Sequence, residues 1–282
     1  MVNPKSVVIA GLTRGYENVE KYQDLIARNK SINKCCNSNF DNILFHEGNI
    51  SVAHQEYIQS FTPDLKIKFV NLKTAHPRTA FNNCKNKINN NLCPPTSRSS
   101  KFKLGYKHMC HFWFIDFFDY VTDYQYLIRV DEDCFLHRLD SDILELMEKK
   151  NQVFISPYFR KFDVQDVTLG MSELLKKFAI DNNIELKNKL EESQESVKCP
   201  YTNCMVIDCE YFRNNHTFRK FQKKVDESSC IYSNRWGDLP LWGLVLWYFE
   251  DAQRYEEVIT ISYHHRSHGM SINPSSSEAI VN

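Results

Sequence analysis

The chain has 282 residues, 42% of them apolar and 13% aromatic, and its formal net charge is zero. That composition supports a sizeable core, offers no global field to attract nucleic acid, and contains no run near the ~20 apolar residues of a membrane span. The chain therefore reads as cytoplasmic or soluble, or as a catalytic domain cut from a membrane-anchored parent.

In chain order, residues 6–11 read as a strand, 19–28 as a helix, 42–46 as a strand, 52–60 as a helix and 67–72 as a strand. Residues 73–103, rich in Asn, Lys, Ser and Pro, read as a long loop of the kind that serves as a lid or binding loop. Between Leu65 and Ile115 there is no Asp or Glu but there are ten Lys or Arg. A phosphate-bearing partner and a solvated basic loop both fit that stretch. Residues 105–120 read as an aromatic helix, 126–130 as a strand, 140–149 as a helix and 153–158 as a strand. Residues 171–182 read as a helix, 185–198 as a charged helix or loop, and 202–208 as a strand. Helices over 218–225 and 241–250 and a last strand over 258–264 follow. The alternation predicts a three-layer α/β sandwich with a mostly parallel sheet. A single domain over residues 1–270 and a frayed tail over 271–282 are expected. Ten cysteines occur, at irregular spacings and without C-x-x-C, which points to reduced thiols.

The acids Asp131, Glu132 and Asp133 follow the apolar run that ends at Val130. Ligands of open α/β sheets bind beyond the carboxyl ends of strands. Positions i and i+2 of an extended segment share a side, so Asp131 and Asp133 converge and Glu132 faces away. Two such carboxylates suit Mn²⁺ or Mg²⁺ carrying a substrate phosphate. An exposed turn paired with Arg129 or Arg138 is the other reading. After the last strand, three of the ten histidines fall within 264–268, where one completes a metal shell or all are incidental. Around Asp238, the run Asn234-Arg-Trp-Gly-Asp-Leu-Pro240 either caps a helix or aims a carboxylate at a sugar hydroxyl over Trp236. Lys107 and His108 lie near a helix start, which favours anions.

Taken in order, Gly-Tyr-Lys-His-Met-Cys-His-Phe, Arg-Val-Asp-Glu-Asp, Arg-Trp-Gly-Asp-Leu-Pro and Ser-Tyr-His-His resemble the fungal α-1,2-mannosyltransferases, glycosyltransferases of the Rossmann-like GT-A fold. The corresponding family stretches read approximately Y-R-H-M-C-R-F, R-V-E-P-D, R-W-G-D-A-P and G-Y-x-H. Leu12-Thr-Arg14 is similar to the family's L-A-R. The resemblance implies that Asp131, Asp133 and His265 hold Mn²⁺ or Mg²⁺. It makes Gly11, Thr13, Arg14, Tyr106, Lys107 and Arg129 the candidates for the nucleotide and its phosphates. Arg235, Trp236 and Asp238 become candidates for the sugar and acceptor. Two departures stand out: Glu132 replaces the family's Pro, and Met205 falls where the family has a Glu discussed as a nucleophile, which turns attention to Asp208 and Glu210 as catalytic alternatives beside Asp238. The expected activity is metal-dependent transfer of a sugar from a GDP- or UDP-sugar to a glycan or glycoprotein hydroxyl. A sugar-phosphate nucleotidyltransferase and a non-catalytic carbohydrate-binding protein are the alternatives. Gly11-Leu-Thr-Arg-Gly15 has too few glycines for the former's phosphate loop.

Overall fold

A computed structural model describes residues 7–36, 40–75, 102–163, 165–190 and 197–273. The strands, in chain order, are β1 (Val7–Thr13), β2 (Asp41–His46), β3 (Ile67–Asn71), β4 (Tyr126–Val130), β5 (Cys134–Leu139) and β6 (Phe154–Ser156). They continue with β7 (Phe159–Lys161), β8 (Lys198–Pro200), β9 (Cys204–Asp208), β10 (Tyr255–Glu257), β11 (Ile261–His265) and β12 (Met270–Ile272). Seven of them form one sheet in the order β10-β6-β9-β4-β1-β2-β3. Its pairs are parallel except the two made by β9, with β4 and β6.

Central strands buried on both faces read as continuous apolar runs. All five residues of β4 are buried, and so are all of β1 except Leu12. Alternate residues serve different layers. Val8, Ala10 and Leu127 pack under the helices His216–Ser228 and Asp238–Phe249. Val7, Ile9 and Ile128 face the helices Gln23–Cys35 and Ile143–Lys149 and a small antiparallel sheet, β12-β11-β5. The result is the expected three-layer α/β sandwich.

Several elements differ from expectation. The strand expected over 258–264 forms over Ile261–His265 and joins the small sheet beside the unforeseen β5, while a separate, unforeseen strand, Tyr255–Glu257, edges the main sheet. The aromatic helix runs only over Leu104–His111, then widens into a π turn at Phe112–Asp116, where Phe112, Trp113 and Phe114 are all buried. A wide turn lets successive bulky rings reach one core. Residues 185–190 form no helix, and most of the basic loop, 76–101, lies outside the described residues. Residues 270–272 pair with β11 and bury Ile272, so the tail is not frayed at its start; residues 274–282 lie outside the described residues. The reduced-thiol expectation fails at Cys230, which is disulfide-bonded, while Cys36, Cys110, Cys134, Cys199, Cys204 and Cys209 are free thiols. No helix among the described residues is long and apolar enough to cross a membrane.

Candidate active site

The buried strand β4 delivers Asp131, Glu132 and Asp133 beyond its carboxyl end, next to the end of β1. Backbone bonds fix this acid loop: Asp131 N donates to the Asn203 carbonyl (2.9 Å), Cys134 N to the Asp131 carbonyl (3.1 Å), and Arg266 N to the Asp133 carbonyl (3.0 Å). The three acids then take three different partners.

Asp131 is held by Arg129. Nε and Nη2 donate to its two oxygens at 2.7 and 2.9 Å, while Nη1 donates to Asp238 Oδ2 at 2.6 Å. The guanidinium lies 4.4 Å from the centre of the Trp113 ring. Burial opposes the Arg129 charge, but Asp131 and Asp238 outweigh it and raise its pKa. Burial also raises the Asp131 carboxyl, against the pull of Arg129. Glu132 turns to the segment after β1, where it accepts from Thr13 Oγ (2.7 Å), Arg14 N (3.2 Å) and the Tyr16 hydroxyl. Asp133 meets His265, with Oδ2 and Nε2 at 3.4 Å. Burial raises the Asp133 carboxyl, but hydrogen bonds from His265 and Ser267 outweigh that and hold it at about 2.

His265 Nδ1 is engaged by the Tyr201 hydroxyl at 3.1 Å, which directs Nε2 toward Asp133. A partner on one ring nitrogen that aims the other is the arrangement of a ligating histidine. Ligand atoms of Asp133, Cys134 and His265 lie within 4.8 Å of one another. Burial keeps the Cys134 thiol well above its ordinary pKa, so the anionic member of this group is Asp133.

Two cavities share the wall formed by Tyr106, Met109, Asp131, Asp133 and Ser267. The first, about 580 Å³, is closed by Arg14, Tyr16, Glu132 and Arg266. The second, about 470 Å³, is lined by Arg160, Asp163, Thr202, Asn203, Arg235 and Asp238. Arg235 has the left-handed φ of 64°, and it donates to Asp163 (3.2 Å) and the Tyr106 hydroxyl (2.8 Å). Non-glycine residues held in that backbone conformation cluster at functional sites.

Of the residues singled out in the sequence, Arg14, Tyr106, Asp131, Asp133, Arg235, Asp238 and His265 come together here, with Arg129 behind them. Others do not. Lys107 turns away and donates to the Tyr232 carbonyl. Trp236 is 1% exposed and donates Nε1 to the Leu169 carbonyl, so it offers no platform. Thr13 spends its hydroxyl on Glu132. Gly11 makes room: a Cβ there would lie 2.9 Å from both Arg28 Nη2 and the Val130 carbonyl. Asp208 pairs with Tyr126 at the opposite end of β4, roughly 13 Å from Val130 at about 3.3 Å per residue. There Asp208 caps the helix Cys209–Asn214 and shares with Glu210 a separate shallow cavity. Met205 lies opposite Arg129 and is fully buried. Capping at Asp238 is also corrected, because Gly237 is the cap of its helix. Arg160, Asp163 and Tyr201 went unnoticed in the sequence; Arg160 lies in the short strand β7 and the other two in segments beside β7 and β8, and no local motif marks them.

The profile described as glycolipid 2-alpha-mannosyltransferase matches residues 5–276. The chain belongs to this family. Among curated relatives, the probable mannosyltransferase KTR4 of Saccharomyces cerevisiae is 21% identical over 179 residues, which are 57% of this chain and 38% of that protein. Glycolipid 2-alpha-mannosyltransferase 1 of Candida albicans is 24% identical over 170 residues, 57% of this chain and 39% of that protein. The matched segments thus span about two-fifths of these relatives' own length. Core-mannan synthase A from Aspergillus fumigatus, solved in an Mn/GDP form, superposes with a TM-score of 0.74 at 20% identity over 97% of this chain and 77% of that chain. The mannosyltransferase Ktr4p of S. cerevisiae superposes with a TM-score of 0.74 at 17% identity over 93% of this chain and 70% of that chain. The family member described here therefore has the GT-A-type fold expected from its motifs.

Proposed function

We propose that this family member transfers mannose from a GDP-linked donor to a hydroxyl of a glycan, using Mn²⁺ or Mg²⁺, and that its described residues act as one catalytic domain. The observation that carries this reading is the approach of His265, in the lining of the second cavity, to 3.4 Å from Asp133 on the wall that the two cavities share, beside the clamped Asp131. One cavity suits a nucleotide and the other a sugar acceptor. The Mn/GDP form of the A. fumigatus relative and the GDP complex of Ktr4p support the choice of donor.

Carboxylates with one imidazole suit a hard to borderline divalent cation. Asp133 and His265 would hold it, with Asp131 alongside. When bound, it supplies positive charge to the diphosphate as a Lewis acid. Tyr201 keeps the His265 ring oriented. Arg14 and Arg266 line the first cavity as cations for the phosphates. In the second cavity, Asp238, fixed by Arg129, takes the proton of the attacking hydroxyl. Asp208 and Glu210 take no part, and Met205 offers no nucleophile, so this course needs no covalent glycosyl-enzyme on β9.

Calorimetry with GDP, with and without Mn²⁺, and assays of GDP-mannose turnover test the reading. Asp133→Asn and His265→Ala should abolish the Mn²⁺ dependence of GDP binding. Asp238→Asn should lower kcat by about 10²–10⁴-fold, while Asp208→Asn leaves it near wild type. Undiminished metal-dependent turnover in both metal-site variants would falsify the assignment.

A further inference from the structure

We propose that Glu132 is a positioning residue for the donor cavity: its carboxylate ties the turn after β1 to the acid loop after β4 and holds Arg14 and Tyr16 on the cavity wall. This rests on the donor reading above. Three donors from the end of β1 and the turn after it converge on this carboxylate: the Thr13 hydroxyl at 2.7 Å, the Arg14 amide at 3.2 Å and the Tyr16 hydroxyl. Hydrogen bonds to an ionised acceptor are roughly twice as strong as neutral ones. Arg14 Nε donates in turn to the Tyr16 hydroxyl at 2.8 Å, and the guanidinium lies 5.1 Å from that ring's centre.

The same turn is gripped from its other side. Tyr16 N donates to the Tyr22 hydroxyl at 3.1 Å, and the two rings meet edge to face at 5.1 Å. Gly15 packs so closely that a Cβ would lie 2.3 Å from the Asn49 carbonyl oxygen. Burial, and then the bond to Glu132, lift the Tyr16 pKa to about 12, so the hydroxyl stays a donor at neutral pH. Arg14, Tyr16 and Glu132 all line the first cavity together with Asp131 and Asp133. The two ends of the donor site, the turn after β1 and the acid loop, are thus one hydrogen-bonded unit. Organised this way, the Arg14 side chain is ordered before a diphosphate arrives, so little of its conformational freedom remains to be lost on binding.

The test compares wild type with Glu132→Ala and Glu132→Gln, using GDP plus Mn²⁺ in calorimetry and GDP-mannose in kinetics. Loss of a charged acceptor for three donors should weaken GDP binding and raise the donor KM by about tenfold or more, with kcat at saturation changed by less than about threefold. Glu132→Gln keeps the shape and one acceptor oxygen and should restore most of the affinity. Without any nucleotide, Glu132→Ala and Tyr16→Phe should be non-additive in thermal stability, since they remove the same bond. Wild-type GDP affinity in Glu132→Ala, a Gln variant no better than Ala, or strictly additive stabilities would each overturn the proposal. Wild-type protein that binds neither GDP nor UDP overturns the donor reading itself, and the nucleotide-free cycle tells that result apart from failure of the tie.

Discussion

Arg129 uses all three guanidinium nitrogens on carboxylates and its face on Trp113, while only 1% exposed. Removing one member of such a buried set leaves uncompensated charge. Arg129→Met should therefore destabilise the protein by about 3–5 kcal/mol, as measured by urea unfolding. Arg129→Lys should recover only part of this, because an ammonium cannot make the bidentate contact with Asp131. A Met variant as stable as wild type would show that Asp131 and Asp238 need no partner. At this scale the sequence went a good distance. The alternation of side chains predicts that Asp131 and Asp133 share a side, and both line the two cavities. Glu132, expected to face away, lines the first cavity with them, because residues 131–134 form a turn and not an extended segment. Arg129 was legible only as either a partner of the acids or a phosphate ligand, since choosing between these requires knowing that Asp238 arrives on its other side.

In the helix Leu104–His111, Tyr106 and Met109, followed by Trp113 in the π turn, recur at helical spacing and line the first cavity. Lys107, His108 and His111 point instead to Tyr232, Asp116 and Asp226. Proximity to a helix start had suggested Lys107 for phosphate; the 3.6-residue period decides against it. His108 has a testable consequence. Burial, then the neighbouring His111, lowers its pKa to about 4, so the folded state keeps the ring neutral. The unfolded ring takes a proton near pH 6.5, well before the folded one does. The stability due to the neutral ring is complete above about pH 6.5 and is lost as pH falls toward 4. At 1.36 kcal/mol per pKa unit the loss is on the order of 3 kcal/mol. Unfolding free energies measured from pH 7 to pH 4 should fall less steeply for His108→Phe than for wild type; parallel curves would refute the assignment.

Across the whole molecule, the decisive pairing is that of β11 with β5, where His265 lies opposite Cys134 and so beside Asp133. The small sheet joins β11 to β5, the strand that follows the acid loop leaving β4. Ligands that bind only the folded state stabilise it, by about 2.7 kcal/mol at one hundred times Kd. For a domain of this size, GDP with Mn²⁺ should then raise Tm by about 5–10 °C. Scanning calorimetry should show that rise in wild type and none in His265→Ala. An equal rise in both would mean that the nucleotide binds without the Asp133–His265 pair.

By itself the sequence determined the layered α/β class, the buried strand leading into an acid loop, and the motif order that carries the family resemblance. These are local or ordinal properties: side-chain period, apolar runs and spacing along one chain. Only the tertiary structure decided which residues share the site. β9 runs antiparallel to β4, so its Asp208 end lies away from the acid loop while Asn203, just before its start, lies against it. Trp236, three residues before Leu239, is drawn into the core because its indole finds a carbonyl at Leu169. Strand direction and burial depend on partners far away in sequence, and no local pattern of residues encodes those.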